Sequence, residues 1–441
     1  MNFSPLFKRI FALLACVGLV SFGALRLAAA DHAEPAAAAA HAAAPAHEAA
    51  HADHGDAGHD AHAAGGHAHK PAIEVTFVSQ FLYSYLTAYM FCLSIVVGAM
   101  FLVILHHLFD ASWSVPIRRV NEQIACLMPV MGLLCLPIII LAPQIYPWMN
   151  IDPATDHALD VKKVLFNRTS FTVLLVVIFG LWSFMALNFR RWSVAQDKDG
   201  AAKWTSKARF QAAWGIFAFA ITLTLVVFLL MKSLMHQFFS TMYGVYYFAG
   251  SVWTTLATVY GIVFWLKSRE LKGVIYTHTM HFIGTLFFAF TVFYAYIHFS
   301  QYFLIWNAAI PEETFWYVKR EVGSWWQVGL LILFGHFFVP FLILLRIDTK
   351  LNPLVMGPMI LWAWLMHYTD MTFNVMPVLY PEGLHVTLLD PICWVALSAV
   401  LALAFWKNFK SAAPFPLKDP RLKEALTHHE VPAPGAAAAH H

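Results

Sequence analysis

The sequence predicts an all-α integral membrane protein with about ten transmembrane helices. Its 441 residues are 60% hydrophobic and only 12% charged, whereas charged residues make up about a quarter of a soluble domain. Apolar runs of about 18 residues or more recur along the chain, and each is long enough to cross a hydrocarbon core as a helix. The strands of a transmembrane barrel would instead show about ten residues of alternating polarity.

The N-terminal segment 1–30 carries the first apolar run, which begins just after Lys8 and Arg9 and ends in small residues. This pattern is shared by a cleaved signal peptide and a retained anchor helix, and both interpretations stay open. Residues 31–72 form an Ala/His/Gly tract with nine histidines and no apolar side chain that could build a core. We interpret the tract as a disordered, exported linker rather than a metal site, because its histidines are irregularly spaced.

Nine further apolar segments predict the core helices. They cover 81–107, 125–148, 169–189, 211–236, 242–266, 274–306, 325–345, 351–368 and 388–406. The tripeptide Leu-Met-His occurs at 234–236 and again at 365–367, near the predicted ends of the fourth and eighth core helices. This repeated tripeptide predicts two four-helix bundles related by a parallel repeat, with flanking helices. The predicted units are 73–237 and 238–372 for the two bundles, 373–408 for a loop and the last helix, and 409–441 for the tail.

The basic residues predict the topology. Most Lys and Arg residues fall on one side when the helices alternate through the membrane with Lys8 and Arg9 in the cytoplasm. This orientation puts the histidine tract outside and the carboxyl tail inside. Because the basic residues are spread among loops beside apolar segments, we interpret them as topology signals and expect no nucleic-acid partner.

The sequence predicts neither a metal nor a redox centre in this chain. All five cysteines lie within apolar segments, and none forms a CxxC or CxxCH motif. No two predicted helices each carry a histidine pair 13 or 14 residues apart, so a dihaem bundle is not expected. The phosphate-binding loop, the HExxH motif and the GxSxG motif are also absent, which disfavours the common hydrolytic enzymes.

Titratable residues inside the predicted membrane are the functional candidates, because each such group costs about 2.5–3.5 kcal/mol to insert. Towards the outer side, Lys232 and His236 are expected to share one helical face, and His367 and Asp370 another. If the repeat holds, these faces meet. A histidine beside a carboxylate suits quinol chemistry, because quinol oxidation releases two protons. The alternative is ordinary interfacial histidines hydrogen-bonded between helices.

Further titratable candidates lie towards the inner side and deeper in the membrane. They are His278, His281, His298 and His336. His278 and His281 lie near the start of the sixth core helix, and His106, His107 and Asp110 end the first. Both groups would gate proton entry from the cytoplasm. For His106 and His107 we favour the alternative, that they are interface residues whose polar ends reach out to water.

A family resemblance rests on the outer segment HFSQYFLIWNAAIPEETFWY at 298–317, followed by GSWW at 323–326. This segment resembles the ActF family of membrane proteins from bacterial alternative complex III. The resemblance covers nearly the whole chain, including an amino-terminal anchor and a His/Ala-rich linker, and it favours a retained anchor. The family is similar to the NrfD-like membrane subunits of polysulfide reductases, whose fold is two four-helix bundles with flanking helices.

The resemblance implies a subunit of a respiratory quinol-oxidising complex in the bacterial cytoplasmic membrane. Its implied roles are a scaffold and a candidate proton-translocation path, with quinol as the ligand to consider and no redox centre of its own. Iron-sulfur clusters and haem c are expected in partner subunits, alongside a second, related NrfD-like protein that chiefly holds the quinol site. Membrane lipid is a further implied partner. The implied electron acceptor is a periplasmic protein or a terminal oxidase.

The same resemblance draws attention to Glu312 and Glu313, which lie in the matching segment. They would accept protons or dock a partner at the outer surface. A solvated loop or a helix amino-terminal charge is the alternative.

Two other functions stay open from the sequence. A secondary transporter would also use repeats and polar residues at mid-membrane depth. A quinol-binding subunit in its own right would hold quinone inside this chain. Purification in mild detergent discriminates between the complex and the transporter, since a complex would bring haem c and iron-sulfur subunits with it and a transporter would be stable alone.

Overall fold

A computed structural model describes residues 73–269, 271 and 273–427. The chain divides into two units, Met1–Glu74 and Val75–His441, and everything described below belongs to the second unit. The predicted anchor, the histidine tract and the end of the tail lie outside the described residues. Within those residues the regular secondary structure is entirely helical.

The α-helices of the described part are numbered in chain order. They are α1 Phe77–Leu108, α2 Val115–Ala125, α3 Met128–Ile140, α4 Ala142–Ile145, α5 His157–Lys162, α6 Arg168–Asp199, α7 Ala202–Leu230, α8 Tyr243–Arg269, α9 Thr277–Ala308, α10 Pro311–Val318, α11 Trp325–Ile332, α12 Val339–Leu344, α13 Ile347–Leu351, α14 Pro353–Val375, α15 Leu389–Phe409 and α16 Leu422–Thr427. A π-helical segment, Leu333–Phe338, joins α11 to α12. Short 3-10 turns lie at Ser112–Ser114, Pro147–Asn150, Pro153–Thr155, Lys232–Met235 and Met376–Val378.

Eight helical segments in the described range are long and apolar enough to cross a membrane. They are α1, the stretch through α2 and α3, α6, α7, α8, α9, the stretch from α11 to α12, and α15. Helix α14 has 23 residues and is long enough to span, but its carboxyl half carries His367, Asp370 and Asn374 and is therefore less apolar. The helical content and these apolar helices confirm the prediction of an all-α, multi-pass membrane protein.

Helices α1 and α8 form the centre of the unit. The apolar window of α1 is 83% buried and that of α8 is 72% buried, against 22% for the peripheral α15. Helix α1 packs along α8 and also contacts α7, α14 and α15, while α8 packs along α9. Across this interface Tyr247 on α8 donates its hydroxyl to the carbonyl of Met90 on α1 at 2.7 Å.

Small and hydroxylated residues allow α1 and α8 to approach closely. A Cβ atom on Gly98 would collide with the Thr255 hydroxyl and lie 2.7 Å from the Ser251 carbonyl oxygen. Thr255 in turn donates its hydroxyl to the carbonyl of Ile95 at 3.0 Å. Between apolar surfaces in lipid, such close contact and interhelical hydrogen bonding are the main sources of helix association.

The ends of two helices differ from the prediction. Helix α14 continues to Val375, so the polar residues predicted at its end lie inside it. Helix α7 ends at Leu230, and Lys232–Met235 form a 3-10 turn. The hydroxyl of Ser233 donates to the carbonyl of Leu229 at 2.5 Å, a local bond of the kind that competes with continued helix. The expected shared helical face of Lys232 and His236 is therefore wrong.

The two copies of the Leu-Met-His tripeptide do not occupy equivalent positions in their helices. The copy at 234–236 includes the end of the 3-10 turn that follows α7, whereas the copy at 365–367 lies in the interior of α14. The two copies therefore differ in their position relative to a helix end, because a tripeptide match carries no information about where each helix ends.

The segment between the first two core helices is a buried helix rather than a loop. Every residue of α2 is buried, including Arg118, Arg119 and Glu122. The carboxylate of Glu122 lies 3.3 Å from the Nε of Arg118 and 3.2 Å from the Nε of Arg119. The spacings of four and three residues place these groups on one helical face.

The carboxyl-terminal tail packs against this charged face. Asp419 pairs with Arg118 and, at 3.0 Å, with Arg421. Arg421 also lies 2.5 Å from Asp110, at the end of α1. Desolvation by itself would raise the pKa of Asp419, but the neighbouring charges of Arg118 and Arg421 outweigh it and hold the pKa below its usual range. The tail is thus fixed to the helices by ion pairs that are largely buried.

The glycine contact between α1 and α8 gives a first test. We expect Gly98→Ala to lower the free energy of unfolding by about 1–3 kcal/mol, because the new methyl group overpacks the interface. Gly180→Ala is the matched control, since a Cβ at that helical glycine meets nothing within 4 Å. Thermal unfolding in detergent measures both, and equal melting temperatures for the two variants would contradict the close-packing argument.

The tail contact gives a second test. Because the folded pKa of Asp419 lies below its unfolded value of about 3.9, its stabilising effect is complete above that pH and is lost as the pH falls through the folded value. Between pH 5 and 8 we therefore expect tryptic cleavage at the tail to be slow in the native chain. Asp419→Asn removes the tail carboxylate that pairs with Arg118 and Arg421, and cleavage after Arg421 should accelerate at least about tenfold.

The control for the tail experiment is Asp348→Asn, because the Asp348–Arg346 pair is exposed and such pairs contribute little. Mass spectrometry of timed digests locates and quantifies the cuts. Identical cleavage rates in the two variants would show that the ion pairs do not hold the tail.

Candidate functional site

Polar side chains from several helices converge in the interior of the region predicted as the second bundle. His336 comes from the π-helical segment, and His367 and Asp370 come from α14. One ligand-capable atom of each lies within 4.8 Å of those of the other two. The exposed fractions of the three residues are 0%, 0% and 1%. We call these three residues the buried triad.

The π-helical segment places His336 in this interior. Pro340 lacks the N–H group that would bond the carbonyl of His336 four residues earlier, so a regular α-helix is interrupted there. Gly335 lets α14 come close, because a Cβ on it would collide with Met366 and lie 3.2 Å from Trp362. The indole of Trp362 donates to the carbonyl of Gly335 at 2.7 Å, which satisfies a main-chain group at the irregular turn.

Two aromatic rings hold the imidazole of His336. The ring centroid of Trp253 lies 3.8 Å from it and that of Tyr294 lies 3.7 Å from it, both in stacked orientation. Neither ring nitrogen of His336 has a hydrogen-bond partner among the residues that the structure describes. Stacking therefore fixes the plane of the ring while its two nitrogens stay unsatisfied.

His367 is oriented by a hydrogen bond to α1. Its Nε2 lies 3.0 Å from the hydroxyl of Ser94, whereas its Nδ1 has no hydrogen-bond partner in the described part of the chain. Gly250 on α8 makes room for the ring, since a Cβ there would lie 2.8 Å from Cε1 of His367. The contact between α1, α8 and α14 thus fixes this side chain.

Asp370 is held through one of its two carboxylate oxygens. The Oδ1 atom accepts hydrogen bonds from the hydroxyl of Tyr246 and, at 3.3 Å, from the side-chain amide of Asn374. That amide also donates to Tyr246 at 3.0 Å, and Tyr243 donates to the amide oxygen of Asn374 at 2.8 Å. The Oδ2 atom has no hydrogen-bond partner within the described residues.

The triad therefore presents four unsatisfied polar atoms in one place. They are Nδ1 and Nε2 of His336, Nδ1 of His367 and Oδ2 of Asp370. Leaving a buried polar atom without a partner costs about 1–3 kcal/mol, so such a concentration indicates a functional use. Two imidazoles and a carboxylate can exchange a proton or ligate a metal ion.

Arg320 lies at the carboxyl end of α14, beside the triad region. It is 2% exposed and donates to the main-chain carbonyls of Phe373, Asn374 and Trp316, each at 2.9 Å. Burial lowers its pKa to about 10, so it stays charged at neutral pH. A cation at the carboxyl end of α14 is favourable for the helix dipole. The sequence analysis did not single out Arg320 as a candidate site residue.

The outer residues expected beside the triad have other partners. His236 lies 2.8 Å from Asp156, and Lys162 donates to the main-chain carbonyl of His236 at 2.7 Å. The ammonium group of Lys232 lies 4.5 Å from the ring centroid of Phe228. Burial lowers the pKa of both lysines to about 8.

The remaining predicted residues divide into one neighbour of the triad and several distant ones. His298 stacks on Tyr294, with ring centroids 5.8 Å apart, and so borders the triad. The others lie elsewhere: His278 stacks on Tyr276 near the start of α9, and His281 lies by Phe282. Glu312 and Glu313 lie in the first turn of α10, where Glu312 is exposed and Glu313 is partly buried.

His106 and His107 do not reach out to water. Their exposed fractions are 2% and 4%, and they pack on Trp113 and Phe189 respectively. The favoured interpretation of these two as interface residues is therefore wrong, because α2 and the tail cover this end of the bundle.

Sequence reasoning missed the residues that position the triad. Tyr246, Tyr294 and Asn374 are uncharged and were not considered as site residues. A signal existed for Asn374, which lies four residues after Asp370 and therefore on the same helical face. The tyrosines carried no comparable signal, since their role depends on which helices are neighbours.

Comparison of the chain with models of known protein families gives no match, and no curated protein matches it either.

The hydrogen bond between Tyr246 and Asp370 can be tested directly. We expect Tyr246→Phe to lower the free energy of unfolding by about 1–3 kcal/mol, because it removes a donor from a buried carboxyl group. Tyr296→Phe removes the same atom from a residue that is 63% exposed, and it should change stability little. Thermal unfolding in detergent compares them, and an unchanged melting temperature for Tyr246→Phe would argue against the bond.

Proposed function

We propose that this chain is an integral membrane subunit of a respiratory quinol-oxidising complex, in which it serves as a scaffold and as a proton path. The buried triad carries the proposal. A histidine pair and a carboxylate with four unsatisfied atoms lie deep among apolar helices. Groups of this kind are costly to bury unless they serve a proton or ion pathway.

A polar chain leads from the triad towards one end of the helices. It runs from Asp370 through Tyr246 and Asn374 to Tyr243. Tyr243 is the first residue of α8, and Asn374 lies next to the last residue of α14. Hydroxyl and amide groups linked in this way can relay a proton between the carboxylate and the membrane surface.

The segment with the family resemblance contacts this polar chain. Trp316 on α10 lies edge-on to Tyr243 with ring centroids 6.3 Å apart, and the ring centroid of His298 lies 5.5 Å from that of Tyr246. The exposed Glu312 and the partly buried Glu313 lie on the same short helix. We propose that α10 is where the polar chain meets solvent or a partner protein.

In this proposal the electrons do not pass through the chain. Quinol is the ligand, iron-sulfur and haem c proteins of the complex carry the electrons, and a second NrfD-like membrane protein is a further partner. The chain lies in the bacterial cytoplasmic membrane, with residues 31–72 in the periplasm and the carboxyl terminus in the cytoplasm. Two four-helix bundles, one made from α1–α3, α6 and α7 and the other from α8, α9, α11–α12 and α14, provide the scaffold.

Helix contacts support the two-bundle arrangement. Helix α6 contacts α3 and α7 within the first set, and α8 contacts α9 and α14 within the second. The first helices of the two sets, α1 and α8, pack against one another.

The experiment is purification in mild detergent followed by kinetics of the Asp370→Asn variant. The native chain is expected to bring haem c and iron-sulfur proteins with it. Asparagine preserves the size of the carboxyl group but cannot take up its proton, so quinol oxidation or the coupled proton movement should fall at least about tenfold. The set of proteins that purify together should stay unchanged.

Asp348→Asn is the control, because Asp348 is exposed on the short helix α13. Normal quinol oxidation and proton movement in Asp370→Asn would remove the triad from the proposed function. A chain that purifies alone and stays stable would favour the transporter over the complex.

A further inference from the structure

We propose that the buried triad is a binding site for a divalent first-row transition-metal ion, ligated by His336, His367 and Asp370. Two imidazoles and one carboxylate form a donor set typical of zinc and iron sites, whereas magnesium and calcium prefer oxygen ligands alone. The inference does not rest on the proposed function, since metal binding is measured without any turnover.

The hydrogen bonds around the triad leave one polar atom of His367 and one of Asp370 available to bind a metal ion. Ser94 holds Nε2 of His367 and leaves Nδ1 for a metal. Tyr246 and Asn374 hold Oδ1 of Asp370 and leave Oδ2. Metal ligands are commonly oriented by an outer partner on their second polar atom, and both side chains follow this pattern.

His336 is oriented by stacking rather than by hydrogen bonding. The rings of Trp253 and Tyr294 cover its two faces, so the imidazole can slide in its own plane but cannot turn over. Both of its nitrogens are candidate donor atoms, because neither has a hydrogen-bond partner in the described range. Stacking therefore fixes the plane of the His336 ring, and either ring nitrogen can serve as the metal-binding atom.

The spacing of the three donor atoms requires a small contraction. They lie within 4.8 Å of one another. Ligands at about 2.1 Å from a tetrahedral metal stand about 3.4 Å apart, so binding draws the atoms together by up to about 1.4 Å. Rotation of the Asp370 carboxyl group and in-plane movement of His336 can supply this change. A fourth position stays open for water.

Burial gives the site a kinetic signature. Each of the three residues is at most 1% exposed, so a bound ion should leave slowly. The nine histidines in residues 31–72 can also bind metal, but their irregular spacing predicts weak binding that a chelator removes. The experiment must therefore count only the metal that survives a chelator wash.

The test uses the full-length chain in detergent, stripped of metal, loaded with Co²⁺ or Zn²⁺ in separate samples, and washed with a chelator. The native chain should retain one equivalent of metal by elemental analysis, and the cobalt form should show visible d–d absorption. His336→Gln, His367→Gln and Asp370→Asn should each lose at least about tenfold in affinity. His298→Gln is the matched control, since His298 borders the triad without belonging to it, and it should retain the metal.

The result that overturns the proposal is a native chain that keeps no metal after the wash, or triad variants that keep as much as the native chain. If the histidine variants fail to fold, Asp370→Asn still tests the site, because asparagine can accept the hydrogen bond from Tyr246. Quinol oxidation measured on metal-free complex separates the two proposals: an effect of Asp370→Asn there supports the proton path whether or not metal binds.

Discussion

The close packing of α1 on α8 is the contact on which the rest of the structure depends. Gly98 lets the two helices approach, and Thr255 bonds across the interface. Once they are together, α1 presents Ser94 to His367, and α8 supplies Gly250 beside the same ring. Since no aqueous hydrophobic effect drives helices together in lipid, this contact determines whether the polar centre can form.

Buried titratable groups have different neighbours at two places in the fold. On α2, Arg118, Arg119 and Glu122 are paired with each other and with the tail, so the charges compensate one another. In the triad, one polar atom of His367 and one of Asp370 are hydrogen-bonded, and the second polar atom of each has no partner among the described residues. Paired charges of the first kind hold structure together, whereas open donor atoms are suited to a proton or a metal ion.

The two proposals for the triad involve the same atoms. A proton on Asp370 or on either imidazole occupies the position that a metal ion would take, so the two states exclude one another. A transition metal would therefore block proton exchange at this site, and proton uptake would weaken metal binding. Tyr246 and Asn374 hold Asp370 through Oδ1, which links the carboxylate to the polar chain and leaves Oδ2 for the metal ion.

The sequence by itself determined the class of fold and part of the site. Long apolar runs give spanning helices wherever they occur, and the three-residue spacing of His367 and Asp370 places them on one face. Only the tertiary structure decided that His336 joins them, because its position depends on a π-helical turn and on α14 as a neighbour. Periodicity within one helix is a local property, whereas helix ends and helix neighbours depend on contacts distant in sequence.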